Sequence, residues 1–104
     1  FPHTGGIVSL EQLYMGVPIL TLYCAHPGGR TTSSVLTVLR KTDWIARSPE
    51  EYIEKAVVLS KDIQGLNLAR KTLREEFLNS PIIKGYPQAV EDAYHGMWAQ
   101  WREA

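Results

Sequence analysis

A glycine-rich turn that leads into a helix is the first part of the sequence with the chemistry to bind a ligand. His3-Thr4-Gly5-Gly6 is a turn, because adjacent glycines permit positive φ and a close approach of the backbone. Such a turn leaves backbone N–H groups free at the positive end of the helix dipole, where anions and phosphates bind. A plain turn is the commoner alternative, since short motifs of this kind often match by chance. The candidate anion-binding residues are Gly5, Gly6, Ile7, Val8 and Ser9.

Glu11 is the only acid among the first 42 residues, and it follows this turn closely. An acid near a helix start interacts favourably with the helix dipole. A carboxylate near a glycine-rich turn is also the group that accepts the two hydroxyls of a ribose in nucleotide sites of α/β folds. Both explanations fit the position of Glu11, so the sequence leaves them open.

Two histidines flank glycine-rich turns, His3 before Gly5-Gly6 and His26 before Gly28-Gly29. Either imidazole, like the Thr4 hydroxyl, can hydrogen-bond a phosphate, and an imidazole can act as a general base. An exposed or internally satisfied histidine is the commoner alternative. The histidines are not spaced with acids as in a metal site, so no metal is expected. No residue of the chain is assigned a catalytic role.

The remaining reactive side chains favour structural roles. His95 lies in a predicted helix beside Tyr94, where it is expected to pack. Cys24 has no helix N-terminus beside it, which favours a buried, inert thiol. Ser33 and Ser34 lack the G-x-S-x-G pattern of a nucleophile elbow.

The elements that position these residues follow from periodicity and turn signals. A short helix over 9–15 ends at Gly16 and Val17-Pro18, and a buried strand follows over 19–22. Ser48-Pro49-Glu50-Glu51 is a capping box that starts a helix to about Lys61. Helices are also predicted over 31–39, 63–78 and 86–102, with a doubtful strand over 44–46. The residues expected to face inward are Val35, Val38 and Leu39, then Ile53, Ala56, Val57 and Ser60, then Leu66, Leu73 and Phe77, and finally Val90, Tyr94, Met97, Trp98 and Trp101.

Composition excludes several classes of protein. The 104 residues form one domain or part of one, with eleven basic and eleven acidic side chains and zero net charge. Zero net charge argues against a nucleic-acid backbone binder and a polybasic membrane anchor. No apolar run approaches the length of a membrane span. One cysteine excludes a disulfide framework and a multi-thiolate zinc site.

The sequence predicts an incomplete domain. A parallel strand buried on both faces needs neighbours on both sides, and one or two strands do not supply them. The chain also begins at Phe1 without a methionine, as expected of a piece cut from a longer protein. Only three of the charged residues lie in 1–40, and the other nineteen lie in 41–104. The first part therefore suits a ligand surface with buried elements, and the second suits solvated helices.

These residues resemble the nucleotide-binding segment of the O-GlcNAc transferase family, which includes the plant SPINDLY-type enzymes. The resemblance is carried by Phe1-Pro2-His3-Thr4-Gly5-Gly6 and by Leu10-Glu11-Gln12-Leu13-Tyr14-Met15-Gly16-Val17-Pro18. It continues through Gly29-Arg30, Ser33-Ser34-Val35-Leu36, Ile45-Ala46, Pro49-Glu50-Glu51-Tyr52, Ser80-Pro81 and Met97-Trp98, and so spans nearly the whole chain.

The resemblance implies an α/β fold, the C-terminal part of the second Rossmann-like lobe of a GT-B glycosyltransferase. Residues 1–47 are then the donor-binding part of that lobe, and residues 48–104 are the helices that complete it. The implied reaction moves a sugar, typically GlcNAc from UDP-GlcNAc, to Ser or Thr of a protein in the cytoplasm. The implied partners are a nucleotide-sugar donor and a protein acceptor, with no cofactor, metal, nucleic acid or membrane. The parent is expected to carry tetratricopeptide repeats.

By this resemblance, the amides of Gly6, Ile7 and Val8 meet the diphosphate and Glu11 binds the ribose. Many members of the family have His-Thr-Thr where this chain has Gly6-Ile7-Val8, so side-chain hydroxyls are lost while backbone contacts survive. Ser9 is expected to supply a replacement hydroxyl. Two alternatives stay open: an inactive nucleotide-sugar or protein-binding module of the same fold, and a GT-B enzyme with a non-protein acceptor.

Overall fold

The computed structural model describes residues 3–104, so Phe1 and Pro2 of the family motif lie outside the described residues. The helices are α1 (Ile7–Tyr14), α2 (Thr31–Val38), α3 (Pro49–Lys61), α4 (Ile63–Leu78) and α5 (Tyr86–Glu103), and the strands are β1 (Thr21–Leu22) and β2 (Ile45–Ala46). Short 3₁₀ turns lie at Pro27–Gly29 and Thr42–Trp44. The predicted α/β class is confirmed, as a small parallel sheet among helices.

The two strands pair in parallel, with Thr21 opposite Ile45 and Leu22 opposite Ala46. The amide of Tyr23 extends the ladder by donating to the carbonyl of Ala46 at 2.8 Å. Both strands are shorter than the predicted spans, because only two residues of each form ladder bonds. A two-stranded parallel sheet is a fraction of the sheet that such a fold needs, so the described chain is part of an α/β domain.

The core lies where α1, α2, β2 and α4 meet. It consists of the buried side chains of Leu13, Leu36, Leu39, Ile45, Leu73 and Phe77. Gly16 ends α1 with a φ of 74°, as the sequence predicts for a helix C-terminus. A Cβ at Gly16 would lie 2.9 Å from the carbonyl oxygen of Arg70. Glycine therefore allows the end of α1 to approach the backbone of α4 closely.

The starts of α3 and α4 are each capped by a side chain. The Ser48 hydroxyl accepts from the Glu51 amide at 3.1 Å, which confirms the predicted cap. The Glu51 carboxylate reaches back to the amide of Arg47, at 2.7 Å, one residue before the amide that a standard capping box uses. The start of α4 is capped by Asp62, whose carboxylate accepts from the Gly65 amide at 2.9 Å.

Several side chains predicted to face inward are exposed. Leu73 and Phe77 are buried as predicted, but Val38 is 45% exposed, Ile53 64% and Val57 46%. The buried apolar residue of α2 is Leu36, which the sequence does not predict to face inward. Periodicity correctly gives an apolar side for a helix, but burial also requires an element opposite that side.

The apolar side of α5 is the clearest example. Tyr94, Met97, Trp98 and Trp101 are each more than half exposed, so the predicted core packing of this side is wrong for the described chain. Trp98 and Trp101 stack on each other, with ring centroids 4.9 Å apart. The long axis of the described residues reaches 57 Å, against 19 Å for the shortest.

Candidate functional site

The starts of α1 and α2 are joined by a buried hydrogen-bond network, here named the hydroxyl clasp (Thr4, Gly5, Ser9 and Thr32). The Thr32 hydroxyl donates to the carbonyl oxygen of Gly5 at 2.9 Å. The Ser9 and Thr32 hydroxyl oxygens lie 3.0 Å apart. Because the single hydroxyl proton of Thr32 goes to Gly5, Ser9 is the donor in this second bond. Ser9 therefore makes its hydroxyl bond inside the clasp and not toward a ligand.

Thr4 ties the clasp to the 3₁₀ turn at Pro27–Gly29. Its hydroxyl oxygen accepts from the amide of Thr32 at 3.4 Å. Its amide and hydroxyl both donate to the carbonyl oxygen of Gly28, at 3.4 and 3.5 Å. The glycine-rich turn before α1 is thus held by hydrogen bonds to Gly28 and Thr32, each more than twenty residues away in sequence.

The start of α1 is open. Gly6 is the N-cap residue and provides no side chain, and α1 begins at Ile7, two residues earlier than predicted. The Ser9 amide is used by the carbonyl of Gly6 at 3.1 Å. The amides of Ile7 and Val8 precede any helical carbonyl that could accept from them. Ile7 is 74% exposed and Val8 58%, so this end of the helix is accessible to an anion.

A cavity of about 400 Å³ begins at the clasp and runs along β1. It lies beside β1, which pairs only with β2 among the described residues. Its floor includes Leu20 and Thr21, and Tyr52 of α3 also lines it. Five of the predicted site residues line this cavity: His3, Thr4, Gly5, Val8 and Ser9. Gly6, Ile7, Glu11 and His26 lie outside its lining.

The position of Glu11 separates its two explanations. Since α1 starts at Ile7, Glu11 is the fifth residue of the helix, and the first turn of α1 contains no acid. The dipole effect falls off within the first turn, so it gives little reason for an acid here. The Glu11 side chain is exposed and has no hydrogen bond or ion pair with residues 3–104. The carboxylate is therefore available to a ligand beside the start of α1.

The two candidate histidines meet each other, with ring centroids 6.0 Å apart in an edge-to-face arrangement. Nδ1 of His26 accepts from the Gly28 amide at 3.2 Å and so caps the 3₁₀ turn. A Cβ at Gly28 would lie 2.9 Å from Nδ1 of His3. His26 thus has a local structural role, while His3 borders the cavity.

Thr32 is the residue of the site that sequence reasoning missed. It is 2% exposed and lies near the start of α2, within the hydroxyl-rich run 31–34. That run comes shortly after Gly28-Gly29, just as α1 comes after Gly5-Gly6, so the same sequence signal marks both helix starts. Ser33, its neighbour, is also buried, and its hydroxyl has no hydrogen-bond partner among the described residues.

Residues 3–104 contain no group of three or more His, Cys, Asp or Glu side chains placed to hold a metal ion. None of the helices in that range has the length and apolar character to cross a membrane.

Comparison with known proteins confirms the resemblance seen in the sequence. The chain is 33% identical over 103 residues to a protein of Hordeum vulgare named probable UDP-N-acetylglucosamine–peptide N-acetylglucosaminyltransferase SPINDLY, covering 97% of this chain and 11% of that protein. The counterpart of the same name in Arabidopsis thaliana gives the same identity and coverage. No family model matches the chain.

A solved structure has the same fold. A mutant O-GlcNAc transferase of Thermobaculum terrenum superimposes with a TM-score of 0.84 at 37% identity. The match covers 94% of this chain and 19% of that one. The chain therefore spans a small part of the length of the proteins that it matches.

Proposed function

We infer the function of this chain from its family, because it belongs to the O-GlcNAc transferase and SPINDLY-type glycosyltransferases. We propose that it is the donor-binding portion of an enzyme that transfers a sugar from a nucleoside diphosphate to Ser or Thr of proteins in the cytoplasm. GlcNAc from UDP-GlcNAc is the proposed donor, since the relatives are named for that sugar and a peptide acceptor. The transfer is proposed to need no metal.

The open start of α1 is the observation that carries this proposal. Backbone amides at a helix N-terminus bind phosphate oxygens without any charged side chain. The amides of Gly6, Ile7 and Val8 would receive the diphosphate, and the hydroxyl clasp fixes the turn from which they project. Zero net charge is compatible with this kind of binding, because dipoles and not ion pairs supply the attraction.

The same amides would assist the reaction. When the bond between sugar and diphosphate breaks, negative charge grows on the departing diphosphate. Fixed N–H groups that point at that charge stabilise the transition state without reorganising. Glu11 would hold the ribose by accepting from its two hydroxyls, as acids do in related nucleotide sites. A lysine for the diphosphate, the base contacts and the acceptor site are proposed to lie in the rest of the protein, so this segment alone is inactive.

A second candidate function follows from the exposed Ile7 and Val8. Their apolar side chains stand at the open helix start, where many members of the family have hydroxyls. A donor site with fewer hydrogen bonds to the diphosphate would suit a module that binds a nucleotide sugar or a protein without catalysis. The two candidates differ in whether donor binding leads to transfer.

The test is Glu11→Ala in the full-length protein, with Glu54→Ala as the matched control. Glu54 is an exposed acid on α3 that forms no hydrogen bond or ion pair with residues 3–104. Loss of two charge-assisted hydrogen bonds should raise the donor KM about tenfold or more in Glu11→Ala. Glu54→Ala should keep the wild-type value.

Calorimetry with UDP, GDP and their sugars separates the candidate functions. Heat of binding together with transfer to a protein supports the enzyme. Heat of binding without transfer supports the inactive module. An unchanged donor KM in Glu11→Ala would contradict the ribose role of Glu11, and absence of heat with every nucleotide would contradict donor binding altogether.

A further inference from the structure

We propose that Thr32 is a positioning residue of the donor site, which holds the amides at the start of α1 in the direction that a diphosphate requires. The inference rests on the proposed function of this site. Thr32 touches no donor group in this arrangement, because its hydroxyl is used inside the clasp. Its contribution is made through Gly5 and Ser9.

The Thr32 hydroxyl makes two hydrogen bonds within the clasp. Thr32 is 2% exposed and Ser9 is 4% exposed, so water does not readily replace the bond between their hydroxyls. The Thr32 hydroxyl donates to Gly5 and accepts from Ser9 at the same time. Removal of this one oxygen leaves the Gly5 carbonyl and the buried Ser9 hydroxyl without their partner in the clasp. The turn is then no longer tied to α2 at this point.

Those two partners lie on either side of the proposed diphosphate amides. Gly5 directly precedes Gly6, and Ser9 is the third residue of α1, so the amides of 6–8 project from the backbone between them. A shift at either side changes where these N–H groups point. Electrostatic stabilisation of a diphosphate depends on donors placed within a few tenths of an ångström of its oxygens, so the shift weakens donor binding.

The clasp also requires that position 5 has no side chain. A Cβ there would lie 2.5 Å from the Ser9 hydroxyl oxygen, closer than non-bonded atoms approach. The absence of a side chain at Gly5 thus lets Ser9 reach Thr32. The bond between Ser9 and Thr32 therefore depends on the absence of a side chain at Gly5.

The test compares three variants of the full-length protein. Thr32→Val removes the hydroxyl and nearly preserves the shape, while Thr32→Ser keeps the hydroxyl. Thr37→Val is the matched control on the same helix, because the Thr37 hydroxyl donates to the carbonyl of Ser33 at 2.7 Å and has no link to the clasp. For each variant the measurements are the UDP dissociation constant by calorimetry, the KM for UDP-GlcNAc, the KM for a peptide acceptor and the Tm.

The expected result is selective for the donor. Thr32→Val should weaken UDP binding and raise the donor KM about tenfold, the change that corresponds to one buried hydrogen bond. The acceptor KM should stay at the wild-type value. Thr32→Ser should restore most of the donor affinity, and Thr37→Val should leave it unchanged.

Two results overturn the inference, and they differ from failure of the proposed function. A folded Thr32→Val protein with wild-type UDP affinity and donor KM refutes the positioning role alone, even if its Tm falls. Wild-type protein that binds no UDP refutes the proposed function first and this inference with it. If Thr32→Val does not fold, Ser9→Ala takes its place, since it removes one bond of the clasp and keeps the other. Unchanged UDP affinity in folded Ser9→Ala then refutes the role.

Discussion

The starts of α1 and α2 differ from the starts of α3 and α4 in how their free amides are satisfied. α3 is closed by Ser48 and α4 by Asp62, in each case by a side chain at the helix boundary. The N-cap residues of α1 and α2 provide no side-chain cap. Their starts are instead held by the hydroxyl clasp, which joins residues more than twenty positions apart and leaves the first amides of α1 open.

This difference matters for ligand binding, because an anion can bind only at a helix start that has free amides. A side-chain cap occupies an amide that an anion would otherwise use, the Glu51 amide in α3 and the Gly65 amide in α4. In α4 the cap is also a carboxylate, which repels an anion. The clasp holds the turn before α1 through the Gly5 carbonyl and the Ser9 hydroxyl and leaves the amides of Ile7 and Val8 unoccupied. α5 begins at Gly85 without a side-chain cap, but Pro87 removes one donor from its first turn. The comparison therefore points to α1 as the helix start suited to a diphosphate.

Charged groups also differ between the two kinds of helix start. α3 has Glu50 and Glu51 in its first turn, and α4, whose first turn has no acid, is capped by the Asp62 carboxylate, whereas the first turns of α1 and α2 contain no acid. The ion pairs of the described residues involve residues beyond position 40, namely Lys41 with Glu76 and Lys55 with Glu51. The groups proposed to receive the diphosphate are thus neutral amides, and Glu11, the acid of the proposed donor site, is assigned to the ribose. The ion pairs of the second half lie outside that site.

Among the variants that test this difference between helix starts, Gly5→Ala is expected to have the largest effect on UDP affinity. The added Cβ would force the Ser9 hydroxyl away from Thr32 and open the clasp. UDP affinity of the full-length protein should fall about tenfold or more, with loss of roughly 1–3 kcal/mol of stability. Calorimetry and thermal unfolding measure the two effects.

Gly65→Ala is the matched control for this prediction. A Cβ at Gly65 would collide with the Asp62 carboxylate and displace the cap of α4. The better helix propensity of alanine offsets the lost cap, each being about 1 kcal/mol, so stability should change little. UDP affinity should not change. If Gly65→Ala weakened UDP binding as much as Gly5→Ala, the division between the two kinds of helix start would be refuted.

Ser48→Ala and Asp62→Ala should have a smaller effect, confined to stability. Each removes a side-chain cap, which typically costs about 1 kcal/mol. Denaturant unfolding of the full-length protein should show this loss for both variants. The donor KM should stay at the wild-type value, because neither cap touches the clasp. A raised donor KM in either variant would show that α3 or α4 takes part in donor binding.

Sequence signals predict the features that depend on neighbours in sequence. Ser48 and Glu51 lie three residues apart, and Gly16 directly follows a short apolar period, so the cap of α3 and the end of α1 both follow from local patterns. The limits of α5 were also predicted to within about two residues. The glycine-rich turn was recognised, and the structure places it at an open helix start.

The clasp could not be predicted, because its bonds join Gly5 and Ser9 to a residue 27 and 23 positions away. Nothing in a local pattern states which of the hydroxyls in 31–34 will face the other helix. The exposed sides of Ile53 and Trp98 show the opposite limit. Periodicity gives the apolar side of a helix, but burial depends on elements that the described chain does not place opposite it.

The smallest expected effect is the loss of the contribution of Glu51 to stability at low pH. The Arg47 amide that donates to Glu51, with help from Lys55, holds the pKa of the Glu51 carboxyl below its ordinary value of 4.5. A lowered pKa in the folded state means that the contribution of Glu51 to stability is complete above about pH 4.5 and is lost as the pH falls through the folded value. The clasp contains hydroxyls, amides and carbonyls only, so it does not titrate in this range.

The loss of thermal stability in Glu51→Gln should therefore depend on pH, unlike that of a variant in the clasp. At pH 7 the variant should unfold at a slightly lower temperature than the wild type, because the charged contacts to Arg47 and Lys55 are weakened. The difference should shrink as the pH falls below 4.5, where the wild-type carboxylate also loses its charge. Thr32→Val should keep the same deficit over that range, since no charge is removed. A deficit for Glu51→Gln that stays constant in acid would show that its contacts are not electrostatic and would remove this difference between the two halves.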